Sequence, residues 1–338
     1  MTLEFILAGV ILVALTVYVL TGGADFGGGV WDLFARGERA KAQREAIAHA
    51  IGPIWEANHV WLIVVVVLLF VGFPKAFAAM MTALHIPLTL MLVGIVLRGS
   101  SFVFRAYDVE DDDVQRRWSL IFSIASVITP ITLGVSVGAI VSGDIRIDLK
   151  TLIPKSGFFA SWMAPFPLFV GFFTLVLFSF LAAVYLTVEA KDPELKEDFR
   201  LRALGSGVAA GILAWVCFGL SAKGAPLVYK TLSQASWSLP FQLVTGGVAL
   251  AALATLWFRK YALARIFAGA QVTFILWGWA AAHYPYIIVP DLTFKQAAAL
   301  PSVLKASLYV LGAGAVLLLP SFWYLFKVFK LEQEETSS

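Results

Sequence analysis

Charge is scarce in this chain. Only 14% of its 338 residues are Asp, Glu, Lys or Arg, against about 25% in soluble domains. Hydrophobic residues make up 60%, more than a soluble core of this length buries, so lipid is part of the solvent. Cysteine is nearly absent. The single Cys217 lies in an apolar run, which excludes a disulfide framework and a cysteine-based metal site. Histidine is scarce too: of four, only His59 and His85 fall within apolar runs, too few for two bis-histidine haems. No run alternates as a strand does, which excludes a β-barrel. No connecting segment is long enough for a soluble domain, and no nucleic-acid partner is expected. The first apolar run lacks a basic leading segment and carries Glu4 instead, so it reads as a retained helix and not a cleaved signal.

What is present is a series of apolar runs of about the 20 residues that a bilayer core requires. They lie at 5–25, 51–72, 77–97, 118–141, 165–187, 204–221, 239–258, 264–282 and 304–326. The chain therefore reads as all-α, one polytopic membrane domain over 1–338 with about nine transmembrane helices. No internal repeat is visible, although eight helices plus one permit two four-helix bundles and a ninth helix. The fourth and ninth runs contain Pro130 and Pro320, which neighbouring helices accommodate. Glu38–Ala50 reads as a short surface helix, and Asp111, Asp112 and Asp113 suit a helix N-terminus.

Orientation follows from Lys and Arg. Seventeen of the 25 sit in odd-numbered loops and at the C-terminal end, among them Arg36, Arg39, Lys41, Arg44, Arg116, Arg117, Lys191, Lys196, Arg259 and Lys327. The other side has eight, including Lys75, Arg146, Lys150, Lys155 and Lys230. Odd loops are thus expected in the cytoplasm, giving N-out/C-in.

Ionisable groups inside a membrane are costly and mark function. Asp25 follows the first run in Thr21-Gly22-Gly23-Ala24-Asp25-Phe26-Gly27-Gly28-Gly29, whose glycines allow either close helix approach or a helix break. Glu56 is placed about five residues into the second run, roughly 7–8 Å deep at 1.5 Å per residue. Two acids at one depth on adjacent helices suggest the mouth of a proton path; pairing with a loop Arg or a backbone cap is the plainer alternative. Glu56 and His59 share a helix face as an E-x-x-H pair. Di-iron bundles need two such pairs, so a metal site is not expected, and a hydrogen-bonded Glu56–His59 couple is the more economical reading. Asn58 joins that couple or bonds a neighbouring helix. His85, mid-run, reads as a helix–helix donor before a haem ligand. Arg98 either snorkels to the cytoplasmic face or pairs with Glu56 or Asp25. Trp55, with Trp61, Trp118, Trp162, Trp237 and Trp323, suits an aromatic belt.

Several segments together resemble subunit II of the cytochrome bd-type quinol oxidases, the cyanide-insensitive oxidase included. They are Gly23-Ala24-Asp25-Phe26-Gly27, Gly52-Pro53-Ile54-Trp55-Glu56-Ala57-Asn58-His59-Val60-Trp61-Leu62-Ile63, Phe73-Pro74-Lys75-Ala76-Phe77, Leu97-Arg98-Gly99-Ser100-Ser101-Phe102 and Tyr284-Pro285-Tyr286-Ile287. The resemblance covers nearly the whole chain. It implies a heterodimer with a subunit I that carries the haems, b and d, and the quinol site. This chain would hold no redox centre, no covalently bound cofactor and no catalytic residue. It would sit in the bacterial inner membrane and help conduct cytoplasmic protons to the oxygen-reducing site through Asp25, Glu56 and His59, with Asn58, Trp55, His85 and Arg98 in support. In some members this subunit binds a structural quinone; lipid and a small accessory subunit are further expected partners. This chain departs from some members in having Glu at 56 in place of Asp, and Gly22 where a second Asp stands upstream of Asp25. The competing class is a secondary transporter or ion exchanger with buried acids, which requires a matching pair of broken helices.

Overall fold

The computed structural model describes residues 2–52, 55–107, 112–148 and 155–328, side chains at 105–107, 112, 113, 115, 116 and 326 excepted. Among these, nine helices are long and apolar enough to cross a membrane. In chain order the helices are α1 (Leu3–Leu33), α2 (Ala40–Ile51), α3 (Trp55–Gly72), α4 (Pro74–Ala83), α5 (His85–Tyr107), α6 (Asp112–Ser142), α7 (Pro165–Glu189), α8 (Pro193–Gly224), α9 (Pro226–Gln234), α10 (Ser238–Trp257), α11 (Tyr261–His283), α12 (Phe294–Ala297) and α13 (Pro301–Phe326). A short antiparallel hairpin, β1 (Tyr286–Ile288) with β2 (Leu292–Thr293), precedes α12. Starts are marked by local chemistry. Proline opens α4, α7, α8, α9 and α13, where its missing N–H costs no hydrogen bond. The Asp192 side chain caps α8 by accepting from the Glu194 N–H at 2.9 Å.

Helices α1, α3, α5 and α6 form one four-helix unit, and α7, α8, α10 and α11 a second; α1 and α6 pack on α7 to join them, and α13 lies outside against α3 and α1. In lipid, apolar side chains gain little by leaving the solvent, so close backbone approach and polar bonds decide the packing. The glycines of α1 supply that approach. A Cβ at Gly27 would collide with the Phe178 carbonyl oxygen of α7, and one at Gly29 with Ser126 Oγ of α6. Small residues here let α1 sit at the centre of both bundles.

Several boundaries differ from the sequence reading. The helix does not break at the glycines: α1 runs on through them to Leu33, so the close-approach alternative is realised and Asp25 lies inside the helix. The transporter reading thereby loses the broken helix it was built on. Of the second run only Ile51 falls in α2, which matches the expected surface helix, and α3 starts at Trp55. Glu56 is therefore in the first turn of α3, shallower than the five residues expected. The third run is also divided, at Leu84, so that His85 opens α5 instead of lying mid-helix. The helix after the acidic stretch begins at Asp112, and Asp111 lies outside the described residues, as does Lys150. The β-hairpin has no counterpart in the hydropathy pattern, being too short to leave one.

Ion pairs tie loops together at the two ends. Arg39 Nε and Nη2 donate to Asp198 at 2.9 and 2.8 Å, and Arg39 Nη1 to Glu194 at 3.0 Å. Gln43 bridges Asp198 (2.8 Å) and Arg202 (2.6 Å). Asp198 holds the Arg39 guanidinium well above its ordinary pKa. The loop after α1 and the start of α8 thus share one end. At the other end Arg146, after α6, pairs with Asp291 of the hairpin at 2.9 Å.

Candidate functional site

The site forms where α1, α3 and α5 meet. On α1, Tyr18, Asp25 and Asp32 recur every seven residues, two helical turns, and so share one face. All three are buried, at 0%, 4% and 2% exposure. On α3, Trp55, Asn58 and His59 fall on one face, while Glu56 is turned roughly 200° from Asn58 at about 100° per residue. The structure agrees: Asn58 is buried and Glu56 is exposed. On α5, Arg98 points inward and is 1% exposed.

The Asn58 side-chain amide donates to Asp25 Oδ2 at 2.7 Å. Arg98 interacts electrostatically with Asp25, Tyr18 and His59. Its guanidinium lies 4.8 Å from the Phe26 ring centroid and 5.2 Å from that of Phe122, a cation–π arrangement in an aromatic sleeve. Of the two alternatives for Arg98, the inward orientation is realised, and Asp25 is the carboxylate whose charge acts on it. The His59 ring is held by Tyr18 (5.9 Å between centroids), Phe26 (5.7 Å) and Trp55 (6.2 Å). Neither His59 nitrogen has a hydrogen-bond partner, so the expected Glu56–His59 hydrogen bond is not made. Trp55 lies over Gly99, its ring 3.1 Å from where a Cβ would stand.

Helices α3 and α5 do not close on each other. Between them runs an open cleft of about 550 Å³ lined by Trp55, Glu56, His59, Gly99, Ser100 and Phe104, with Ile95, Val96 and Val103. Glu56 and one side of His59 face this cleft; Asp25, Asn58 and Arg98 lie behind it.

His85 is not part of the site. It is exposed at the start of α5, about 20 Å along that helix from Arg98, with Nδ1 bonded to the Thr82 carbonyl at 2.9 Å and its ring edge-on to Phe158. The sequence reading missed Asp32, which accepts from Ser123 Oγ of α6 at 3.1 Å, and Tyr18. The signal available for both was the seven-residue recurrence of polar side chains through an otherwise apolar helix.

A haem is the group that the family resemblance implies for the assembly. Among the described residues no two histidine rings are in contact: His59 meets Tyr18, Phe26 and Trp55, His85 meets Phe158, and His283 meets Trp279. No group of three or more His, Cys, Asp or Glu side chains among them is placed to hold a metal ion. These residues do not fit a bis-histidine haem.

Residues 3–329 match the family described as cytochrome bd terminal oxidase subunit II. The chain is 26% identical over 218 residues to cytochrome bd-I ubiquinol oxidase subunit 2 of Escherichia coli K12, a match covering 64% of this chain and 55% of that one. It thus spans about half the length of that relative. It is 24% identical over 326 residues to the putative cytochrome bd menaquinol oxidase subunit II of Bacillus subtilis, covering 93% and 91% of the two chains. Its fold superposes on a chain of the bd oxidase structure from Geobacillus thermodenitrificans with a TM-score of 0.79 at 21% identity, covering 98% of this chain and 99% of that one. With the profile match running almost end to end and nine candidate spans in place, the chain belongs to the cytochrome bd terminal oxidase subunit II family.

Proposed function

We propose that this chain is the haem-free second subunit of a quinol:oxygen oxidoreductase in the bacterial inner membrane. It packs within the membrane against a haem-bearing subunit I and passes cytoplasmic protons toward the oxygen-reducing site. The observation that carries this reading is the pairing of an exposed carboxylate, Glu56, in an open intramembrane cleft with a buried one, Asp25, held behind it by Asn58 and Arg98. An acid exposed on the flank of a membrane helix is costly against lipid, which favours a protein covering the α3–α5 face. Asp25 serves as counter-charge to Arg98, Asn58 fixes its carboxylate, and Glu56 is the group in reach of incoming water. The cleft, in the size range of small-molecule sites at about 300–1,000 Å³, also suits a lipid or quinone head at the same interface. A small accessory subunit would find room on the exposed outer helices. The orientation is N-out/C-in, with the Arg39–Asp198 end in the cytoplasm, as the basic loops require.

The test is assembly. Co-expressed with a haem-bearing subunit I of a bd-type oxidase, the chain is expected to purify as a heterodimer with haem absorbance and quinol-dependent oxygen uptake. Expressed alone it is expected to show neither. A haem-replete, oxygen-reducing preparation of this polypeptide by itself overturns the proposal.

A further inference from the structure

Ten buried side-chain nitrogen or oxygen atoms among the described residues have no hydrogen-bond partner, and five of them belong to Tyr18, His59 and Arg98. They are Tyr18 Oη, both His59 ring nitrogens, and Arg98 Nε and Nη2. Buried polar groups in native proteins are almost always bonded, and clusters of them are where ordered water or a ligand sits. The three residues come from three helices, yet they meet. The Tyr18 and His59 rings are 5.9 Å apart, Arg98 is electrostatically coupled to both, and Phe26, Phe122 and Trp55 wall the space.

The chemistry of the group that fits is constrained. Arg98 disfavours a cation. Asp25, coupled to Arg98 and Tyr18, disfavours an anion and already balances the guanidinium. The guanidinium offers only donors, while the phenol and a neutral imidazole each both donate and accept. The occupant must be small and uncharged, and must both donate and accept.

We propose that Tyr18, His59 and Arg98 enclose a buried hydration site, and that Tyr18 is a positioning residue that holds its water between His59 and Asp25. His59 is the divider: one side of its ring lines the cleft with Glu56 and the other faces Tyr18 and Phe26. Water in this site joins the cleft to Asp25 without any direct bond between Glu56 and His59. The inference rests on the proton-path reading above and adds to it a residue seven positions upstream of the motif acid.

The experiment uses the assembled oxidase. A cryo-electron microscopy map at water-resolving resolution is expected to show density within hydrogen-bond distance of Tyr18 Oη and Arg98 Nη2. Tyr18→Phe keeps the ring that packs on His59 and removes only the hydroxyl. It is expected to erase the density beside Oη, leave haem content unchanged, lower oxygen turnover per haem by at least about tenfold, given what a positioned proton-transfer group is worth, and raise the solvent deuterium isotope effect. Density absent from the wild-type map, or a Tyr18→Phe enzyme with wild-type turnover and isotope effect, overturns the proposal. Glu56→Gln run in parallel separates the two readings. If it is slow while Tyr18→Phe is normal, only the hydration site fails; if both are normal, the proton path fails with it.

Discussion

Asn58 of α3 donates a hydrogen bond to the Asp25 carboxylate of α1 at 2.7 Å, with both side chains at most 4% exposed. The bond ties the second membrane span to the first at the depth where α1 is thinned by glycine. Hydrogen bonds to charged groups contribute about 1.5–3 kcal/mol, and bonds between membrane helices somewhat less. Asn58→Ala is expected to lower the melting temperature of the assembled complex in detergent. Asn58→Asp is expected to do worse, because it sets a second carboxylate where the donor was. An Asn58→Asp complex as stable as wild type would show that Asp25 does not depend on this donor.

The glycine thinning can be tested by contrast. At Gly27 an added methyl has nowhere to go, since the obstacle is the Phe178 backbone carbonyl and not a side chain able to turn. At Gly9, on the same helix, nothing lies within 4 Å of an added Cβ. Gly27→Ala should therefore push α1 from α7 and reduce the yield of monodisperse protein on size-exclusion chromatography, while Gly9→Ala leaves it unchanged. Equal yields would mean that α1 and α7 are free to separate.

Arg98 and Arg39 sit in opposite surroundings. Arg39 is 45% exposed at its side chain and pairs with Asp198 and Glu194 at the surface, where such bridges contribute little. Arg98 and Asp25 are both buried, and a buried charge left without an opposite charge nearby is costly. Arg98→Met is expected to collapse complex yield, and Asp25→Asn added to it should restore part of that loss. Arg39→Met should be nearly silent in thermal melts at high salt. No rescue in the double variant would show that Asp25 is not the charge Arg98 answers.

How much of this was legible beforehand depends on which physical signal each feature leaves. Nine spans were readable because lipid imposes a run of apolar residues on every crossing helix. The break at Leu84 was not, because α4 is as apolar as the span it leaves and carries no breaker between Ala83 and His85. Asp25, Glu56 and Arg98 stood out as charges in apolar surroundings. Their partners did not: whether Arg98 turns outward to water or inward to Asp25 depends on which face of α5 meets α6, and hydropathy does not record that. Tyr18 was hidden for a related reason, since it is not costly enough in a membrane to look anomalous alone, whereas Asn58 was read as joining the Glu56–His59 couple or bonding a neighbouring helix, and the second alternative is realised. The Gly27 and Gly29 contacts show why the Gly-rich stretch is helical: neighbours on both sides replace the stability that glycine forfeits.

Sidedness has its own test. Cys217 is buried, so single cysteines introduced elsewhere report without interference. Cysteine at Lys41 or Lys191 is expected to react with an impermeant maleimide only from the cytoplasmic face, and cysteine at Lys155 only from outside. The Arg39–Asp198 and Arg146–Asp291 pairs require the first two to agree with each other and to differ from the third. Labelling from the reverse sides would turn the whole chain over and place Glu56 at the outer face, which ends its candidacy for taking up cytoplasmic protons.

The two acids should fail differently. Glu56 is exposed in the cleft, in the first turn of α3, and makes no hydrogen bond or ion pair with a described residue. Replacing it with Gln keeps its volume and hydrogen-bonding capacity but removes its ability to change charge. Glu56→Gln is therefore expected to assemble with a full complement of haem and an unaltered spectrum. Its oxygen turnover per haem should fall by about tenfold or more, the scale expected when a positioned proton-transfer group is lost. Asp25 has two duties, because its charge also compensates Arg98. Asp25→Asn leaves a guanidinium without its counter-charge in a buried aromatic sleeve, so complex yield and haem content should fall along with turnover per haem. Measuring haem content and turnover on the same preparation distinguishes the two cases. If turnover per haem is unchanged in both variants, protons reach the oxygen site by another route, and these acids serve only to hold α1, α3 and α5 together.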